Sequence, residues 1–365
     1  FRMSTPEKPE GTASPAVNEP GTKEWRIALF TGNYNHTPDG VSLTLNRLVR
    51  HLEEEEGASV EVFGPTVEDP PMTHWGSFTS VPSWPAPGRP DYRISLGLPR
   101  AARERLESFQ PTLFHIATPD VLGFRALRLA REWEVPAVAS YHTHFSSYLK
   151  YYGFEPLEGV LWGYLRWFYE QCRQIYVPSL SMANVLRAHG IDRGLRIWER
   201  GVETDRFNPD YRSIRWRRER GIEDDEVVIS FVSRLVWEKG LGTFAEIIRE
   251  LEERGIPHRS MVVGEGPAKE KLERQLPNTL FTGHLDGDAL SHAYASSDVF
   301  LFPSDTETFG NVTLEAMASG VPTVCADATG SDVLVQNGKT GFLAQPDAID
   351  HFVERVRTLI EEPGL

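Results

Sequence analysis

Apolar residues fall along the chain in two rhythms. Short, continuously apolar runs at Trp25–Phe30, Ser59–Phe63, Leu113–Ile116, Ala137–Tyr141, Gln174–Pro178 and Gly194–Ile197 are bounded by turn residues. Runs of this kind predict strands buried on both faces. Between them lie stretches with helical spacing. One places Val41, Leu45, Leu48, Val49 and Leu52 on a single face, with Ser42 as its expected cap. Others are Arg100–Phe109, Val121–Trp133 and Ser179–His189, the last ended by Gly190. The alternation resumes with strands at Val227–Val232, Arg259–Val263, Leu280–Thr282, Val299–Phe302, Pro322–Ala326 and Gly341–Leu343. Helices at Thr243–Arg254, Leu290–Ala295, from Asn311 onward and at Ile349–Ile360 separate them. Strand–helix alternation of this kind predicts parallel sheets with right-handed crossovers. The expected architecture is α/β, with two domains each built on such a sheet.

Three stretches break the rhythm. Residues 64–99 are Pro-rich, carry Trp75, Phe78, Trp84 and Tyr92, and read as one irregular loop. Residues 145–168 are crowded with Tyr148, Tyr151, Tyr152, Phe154, Trp162, Tyr164 and Trp167, with Lys150 and Arg166 among them. Three readings fit those rings: a peripheral membrane contact, filling of the first core, or an acceptor groove. Arg212–Arg220 holds a dense arginine run, expected to be a solvated helix face.

The 365 residues suffice for two cores, placed at 24–198 and 210–365 with a linker at 199–209. Residues 1–23 contain no apolar h-region and are rich in Pro, Glu, Thr and Ser, which predicts a disordered tail. No apolar run is long enough to span a bilayer. The only cysteines, Cys172 and Cys325, fall in different expected domains and define no disulfide framework or metal site. Together these features predict a cytoplasmic protein, with peripheral contact at the inner membrane face as the variant. A formal net charge of −14 argues against nucleic acid as the partner.

The chemistry gathers in loops expected at the carboxyl ends of strands, where open α/β sheets place ligands. DVFLFPSDTETFGNVTLEAMASGVPT (Asp298–Thr323) is a strand, a polar loop and a helix start, with Glu307 and Glu315 flanking Gly310. The helix N-terminus offers unpaired N–H groups to a phosphate, and the carboxylates would accept from sugar and ribose hydroxyls. The plainer reading is a helix with an acidic first turn. Arg234 and Lys239, after the strand at Val227–Val232, suit neutralisation of a diphosphate, or are ordinary surface cations. Gly40 follows the first strand at a helix start, a phosphate cradle or an ordinary turn. His142 and His144 close the strand at Ala137–Tyr141, but no third ligand stands at a metal-binding spacing.

The run E-T-F-G-N-V-T-L-E-A-M-A-S-G-V-P resembles the signature of retaining family 4 glycosyltransferases, whose fold is the two-domain GT-B arrangement. Ser233-Arg234 through Lys239-Gly240 matches the family's G-R-x-x-x-x-K-G except at Ser233. Gly264-Glu265-Gly266-Pro267 matches its G-x-G-P corner, and Arg200-Gly201-Val202-Glu203 with Phe207-Asn208-Pro209 its interdomain junction. SYHTHFSSYLKYYGFEPLEGVLWGYLRWF resembles the lipid-directed branch, which includes sulfoquinovosyl diacylglycerol synthases and bacterial glycolipid mannosyl- and glucuronosyltransferases.

The resemblance implies transfer of a hexose from a nucleoside-diphosphate sugar, UDP-linked in preference to GDP-mannose, to a lipid or glycolipid hydroxyl. It further implies retention of anomeric configuration, with no cofactor and no bound metal. Catalytic roles go to His142, Glu307, Arg234 and Lys239. Glu307 would hold the transferred sugar and Glu315 the ribose. The backbone of Phe309, Gly310, Asn311 and Val312 would face sugar and phosphates. Gly40 and Gly264 would lie near the diphosphate, and His284 and Leu285 near the base. Where the family has a second glycine or an asparagine, this chain has Asp39. Family members usually continue through helices that cross back onto the first domain, whereas this sequence stops at Leu365, which puts interdomain packing in question. An epimerase or phosphorylase, or a silent nucleotide-sugar-binding protein, would share the architecture. A dinucleotide oxidoreductase lacks support, since no G-x-G-x-x-G follows the first strand.

Overall fold

The computed structural model describes residues 24–86, 89–142 and 155–362. The expected tail and the ring-rich residues 145–154, with His144, lie outside the described residues.

Two parallel sheets form the frame. The first contains β1 (Arg26–Phe30), β2 (Ser59–Gly64), β3 (Ser77–Ser80), β6 (Leu113–Ile116), β7 (Ala137–Ser140), β8 (Gln174–Val177) and β9 (Leu195–Ile197). Its spatial order is β3-β2-β1-β6-β7-β8-β9. The second comprises β10 (Val228–Val232), β11 (Arg259–Val263), β12 (Leu280–Gly283), β13 (Val299–Phe302), β14 (Thr323–Ala326) and β15 (Gly341–Ala344), in the order β12-β11-β10-β13-β14-β15. In both, the strand order reverses beside the first strand of the unit, which is where such sheets open a ligand crevice.

The cores explain why these runs are apolar. β10 and β13 are buried at every position, and Phe231, Phe300 and Phe302 stack within one continuous cluster. Helix α12 (Ile349–Glu361) closes that core with Phe352, Val353 and Val356, spaced to lie on one face. The first sheet has a cluster on each side. One is built on the stacked rings of Phe30, Phe63 and Phe114, the other on Ile27, Leu29 and Leu45.

Three expectations need correction. Residues 64–99 are not one irregular loop. They hold β3, which extends the first sheet, and an antiparallel hairpin of β4 (Ser83–Ala86) and β5 (Arg89–Ser95). The paired residues Trp84 and Ile94 are exposed, so no apolar alternation marked the hairpin. Helix α1 (Gly40–Glu54) is capped by Asp39 rather than Ser42. Asp39 Oδ1 accepts from Val41 N (3.0 Å) and Ser42 N (2.9 Å), while Ser42 Oγ accepts from Asp39 N, completing a capping box. The third concerns the arginine run. Arg217 is 1% exposed, paired with Asp298 (3.0 Å) and bonded to the carbonyls of Glu223, Glu226 and Ser296. Its two terminal nitrogens carry these contacts, which offset the burial of the charge and tie the first helix of the second unit to the start of β13.

Candidate active site

The site lies where the carboxyl ends of the two sheets meet. On the second sheet, the loop after β10 folds back as a short 3₁₀ turn, Trp237–Lys239, ended by Gly240 in the left-handed region (φ 74°). A Cβ at Gly240 would stand 2.8 Å from the carbonyl carbon and oxygen of Pro303, so only glycine lets the β10 loop lie on the β13 loop. Thr306 Oγ1 seals the contact by donating to Glu238 O at 2.9 Å. The result is a pairing of Lys239 Nζ with Glu307 Oε1 at 2.5 Å, both side chains largely buried. Ser304 Oγ donates to the same carboxylate oxygen at 3.3 Å.

Gly310 (φ 91°) turns the chain into α10 (Asn311–Ala318). That helix carries Glu315 inward, where Tyr294 Oη donates to its carboxylate at 2.9 Å. Burial pushes the Glu315 carboxyl above the usual carboxylate range, against the Tyr294 hydrogen bond and the charges of Arg206 and Arg47. Gly264 packs so closely on the Ser233 carbonyl that any side chain would collide with it, fixing the loop that presents Arg234. Ser233 in the family's glycine position keeps an ordinary strand-end bond, its N–H on Val263 O at 3.1 Å. His284 is exposed and Leu285 half-buried, just beyond β12.

From the first unit come contacts across the cleft. Gly40 lies against α10, where a Cβ would stand 2.8 Å from Asn311 Nδ2, and Asn311 Oδ1 finds no partner among the described residues. Arg234 donates to Tyr92 Oη of the β4–β5 hairpin at 2.8 Å, with its guanidinium 5.0 Å from that ring's centre. Thr308 Oγ1 donates to His142 O at 3.0 Å, and Ser179 Oγ to Thr308 O at 3.1 Å. His142 is buried beyond the end of β7. Burial foremost, with Arg200 and His115 nearby, holds its imidazole well below the ordinary value and therefore neutral.

The structure thus joins Lys239 to Glu307, sets Gly40 of the first unit against Asn311 and the His142 carbonyl against Thr308, and packs Gly264 under the loop of Arg234; Phe309, Gly310, Val312 and Glu315 belong to the same loop-to-helix segment as Glu307 and Asn311. His284 and Leu285 follow the edge strand β12. Sequence reasoning missed Tyr92, Thr308 and the part Arg200 plays beside His142. Thr308 was discoverable, lying between Glu307 and Phe309. Tyr92 carried no signal. Among the described residues, no cluster of three or more His, Cys, Asp or Glu side chains is arranged for a metal ion, and no helix is long and apolar enough to cross a membrane.

Two facing Rossmann-like units with cations, carboxylates and a helix N-terminus in their cleft define a nucleotide-sugar-dependent enzyme of the GT-B class. Residues 38–206 match the family model Glycosyltransferase Family 4, and residues 213–365 match Glycosyl transferases group 1. The chain is 35% identical to sulfoquinovosyl transferase of Arabidopsis thaliana, over 93% of its own length and 68% of that protein. It is 33% identical to GDP-mannose-dependent alpha-mannosyltransferase of Mycolicibacterium smegmatis, over 91% of this chain and 90% of that one. With alpha-monoglucosyldiacylglycerol synthase of Streptococcus pneumoniae the identity is 27%, over 82% and 70% respectively.

Among solved structures, sucrose-phosphate synthase from Thermosynechococcus elongatus superposes with TM-score 0.75 at 19% identity, covering 93% of this chain and 90% of that one. Anabaena HepE in complex with UDP and glucose gives 0.70 at 18% identity, covering 93% and 91%. The fold is shared with both. The chain belongs to the family 4 glycosyltransferases and is a hexosyltransferase.

Proposed function

We propose that this enzyme moves a sugar from a nucleoside-diphosphate sugar to a hydroxyl of a membrane lipid or glycolipid, with retention of anomeric configuration. The observation that carries the reading is the Lys239–Glu307 pair, set on the loop whose next residue, Thr308, is bonded to His142 of the opposite sheet. One loop therefore joins a cation for the leaving group, a carboxylate for the sugar and the neutral imidazole of the acceptor side. Arg234 and Lys239 take the diphosphate and stabilise charge that grows as it departs. Glu307 orients the transferred sugar and Glu315 holds the ribose. The N–H groups of Phe309–Val312 face sugar and phosphate, and Gly40 and Gly264 let the backbone approach. The base lies toward His284 and Leu285. In the proposed step the anomeric C–O bond to phosphate breaks while the acceptor oxygen bonds the same face, and the acceptor proton passes to the departing phosphate oxygen. The reading calls on no resident cofactor or metal.

A lipid or glycolipid acceptor is supported by relatives such as alpha-monoglucosyldiacylglycerol synthase. It is also supported by α4 (Glu158–Tyr169), which buries Trp162, Leu165 and Phe168 in the first core yet exposes Val160 and Trp167, with Leu157 exposed just before it. That outward face is proposed to rest on the inner leaflet. The donor is a UDP-sugar or GDP-mannose, and relatives with GDP-mannose in their names keep both in play.

Thermal stabilisation by a panel of UDP- and GDP-sugars should single out one donor. Incubating that donor with diacylglycerol, monoglycosyl lipid and phosphatidylinositol, and reading the anomeric coupling of the product by NMR, then tests the rest. An α-linked product from an α-linked donor supports the proposal. A β-linked product overturns retention, and epimerised donor formed without acceptor overturns transfer.

A further inference from the structure

The linker between the two sheets does more than join them. Arg200, three residues past β9, turns inward. Its Nη1 donates to Trp198 O at 2.8 Å and its Nη2 lies 2.9 Å from His142 Nδ1. Its guanidinium carbon stands 4.5 Å from the centre of the Trp198 ring, and the same indole meets His142 edge-on at 5.8 Å. Trp198 is itself placed by Tyr176 of β8 and His115 of β6. Arg200 is thus held at three points: a carbonyl, a ring face and an imidazole nitrogen.

The chemistry of that last contact has one solution. A guanidinium has only donors, so His142 Nδ1 must present its lone pair. A neutral imidazole accepting at Nδ1 carries its proton on Nε2. His142 Nε2 is buried and finds no hydrogen-bond partner among the described residues. A buried N–H without a partner is costly unless something else in the working enzyme accepts from it.

We propose that Arg200 is a positioning residue that locks the His142 imidazole in its Nε2–H form, so that the ring serves bound sugar nucleotide as a hydrogen-bond donor and never as a base. This rests on the reading above that His142 faces the donor. The titratable groups that face the ring are Arg200 from the linker and His115 from β6. Burial lowers Arg200 only to about 10, which leaves it charged at neutral pH, and lowers His115 to about 4, which leaves it neutral. His115 is occupied in turn, its Nε2 lying 2.5 Å from Ser140 Oγ. On the opposite sheet, Thr308 meets the His142 carbonyl with an uncharged hydroxyl, and its neighbour Glu307 is paired with Lys239. A proton on Nδ1 would face the guanidinium directly, so acidification finds no stable protonated state while Arg200 is in place.

Nitrogen-15 NMR of histidine-labelled full-length enzyme reads the tautomer directly. The wild type should show His142 as an invariant Nε2–H form between about pH 5.5 and 9, a window spanning the ordinary histidine range. In Arg200→Ala the ring should become a tautomer mixture that titrates near neutrality. Turnover should fall about 10- to 100-fold, the scale of a misplaced site group, and gain an acidic limb in its pH profile. Arg200→Lys, which keeps one donor, should recover part of the rate. His142→Gln, which keeps a donor near Nε2, should retain more activity than His142→Ala. A titrating or Nδ1–H wild-type His142 overturns the proposal without any variant having to fold. An active Arg200→Ala beside an inactive His142→Ala also overturns it while leaving the donor-site reading intact. Full activity in both alanine variants removes His142 from the site and overturns both.

Discussion

Lys239 and Glu307 are separated by three strands and three helices in sequence, yet their charged groups lie 2.5 Å apart with each side chain less than one-fifth exposed. The pair links the two loops that carry the site on the second sheet, so its members cannot be altered independently. Lys239→Ala removes the cation proposed to meet the leaving group and strands a buried carboxylate at once. We expect turnover to drop about 10²–10³-fold, the scale for loss of a preorganised electrostatic contact. Stability should fall by about 1–3 kcal/mol. A Lys239→Met/Glu307→Gln double variant should recover the stability, measured by denaturant unfolding, but none of the turnover.

Arg234 offers a contrast. It is half-buried and donates to Tyr92 across the cleft. Arg234→Ala should therefore lower turnover by a similar factor with little change in unfolding midpoint. Arg234→Lys should rescue poorly, because an ammonium lacks the planar fork. Steady-state kinetics with calorimetric unfolding separates the two effects, and an unchanged rate would remove Arg234 from the diphosphate site.

Glu315 sets function against stability. Its folded-state carboxyl lies above the ordinary range through burial. The folded protein therefore holds that proton more tightly than the unfolded chain does, and stability is lost as pH rises through the raised value. Glu315→Gln, still able to accept from Tyr294, should unfold at a higher midpoint than wild type at pH 7. The advantage should shrink as pH falls toward the usual carboxylate range. Nucleoside-diphosphate binding by Glu315→Gln, read by titration calorimetry, should weaken by about 1–3 kcal/mol.

Gly40→Ala probes a close approach between the halves. Gly40 does not adopt the left-handed conformation, so α1 tolerates the methyl group, and stability should change by no more than about 1 kcal/mol. The methyl group would displace the Asn311 amide at the start of α10. The expected signature is a raised KM for the donor at nearly constant unfolding midpoint. An unchanged KM would place the diphosphate away from this contact.

Much of this was legible beforehand because parallel strands buried on both faces read as plain apolar runs. The loops after β10 and β13 were legible for another reason. Their glycines, carboxylates and cations stand at spacings fixed by strand–turn–helix geometry. Tyr92 and Arg200 were not, since their partners lie 142 and 58 residues away and share no periodic pattern with them. Arg217 misled for a similar reason. Its burial depends on carbonyls at Glu223, Glu226 and Ser296, and a run of arginines does not reveal which one will find them. The hairpin hid because its exposed Trp84–Ile94 pair and Pro85 look like loop composition.

Glu307 and Thr308 are neighbours, but one is anchored to its own half and the other is tied to the opposite half. A hinge motion that parts the sheets must therefore drag on the carboxylate proposed to steady the sugar. On the proposed reading, unloading the spent nucleotide and loosening the acceptor wall become a single mechanical event, and the peptide between these residues is where an engineer would set the pace of product departure.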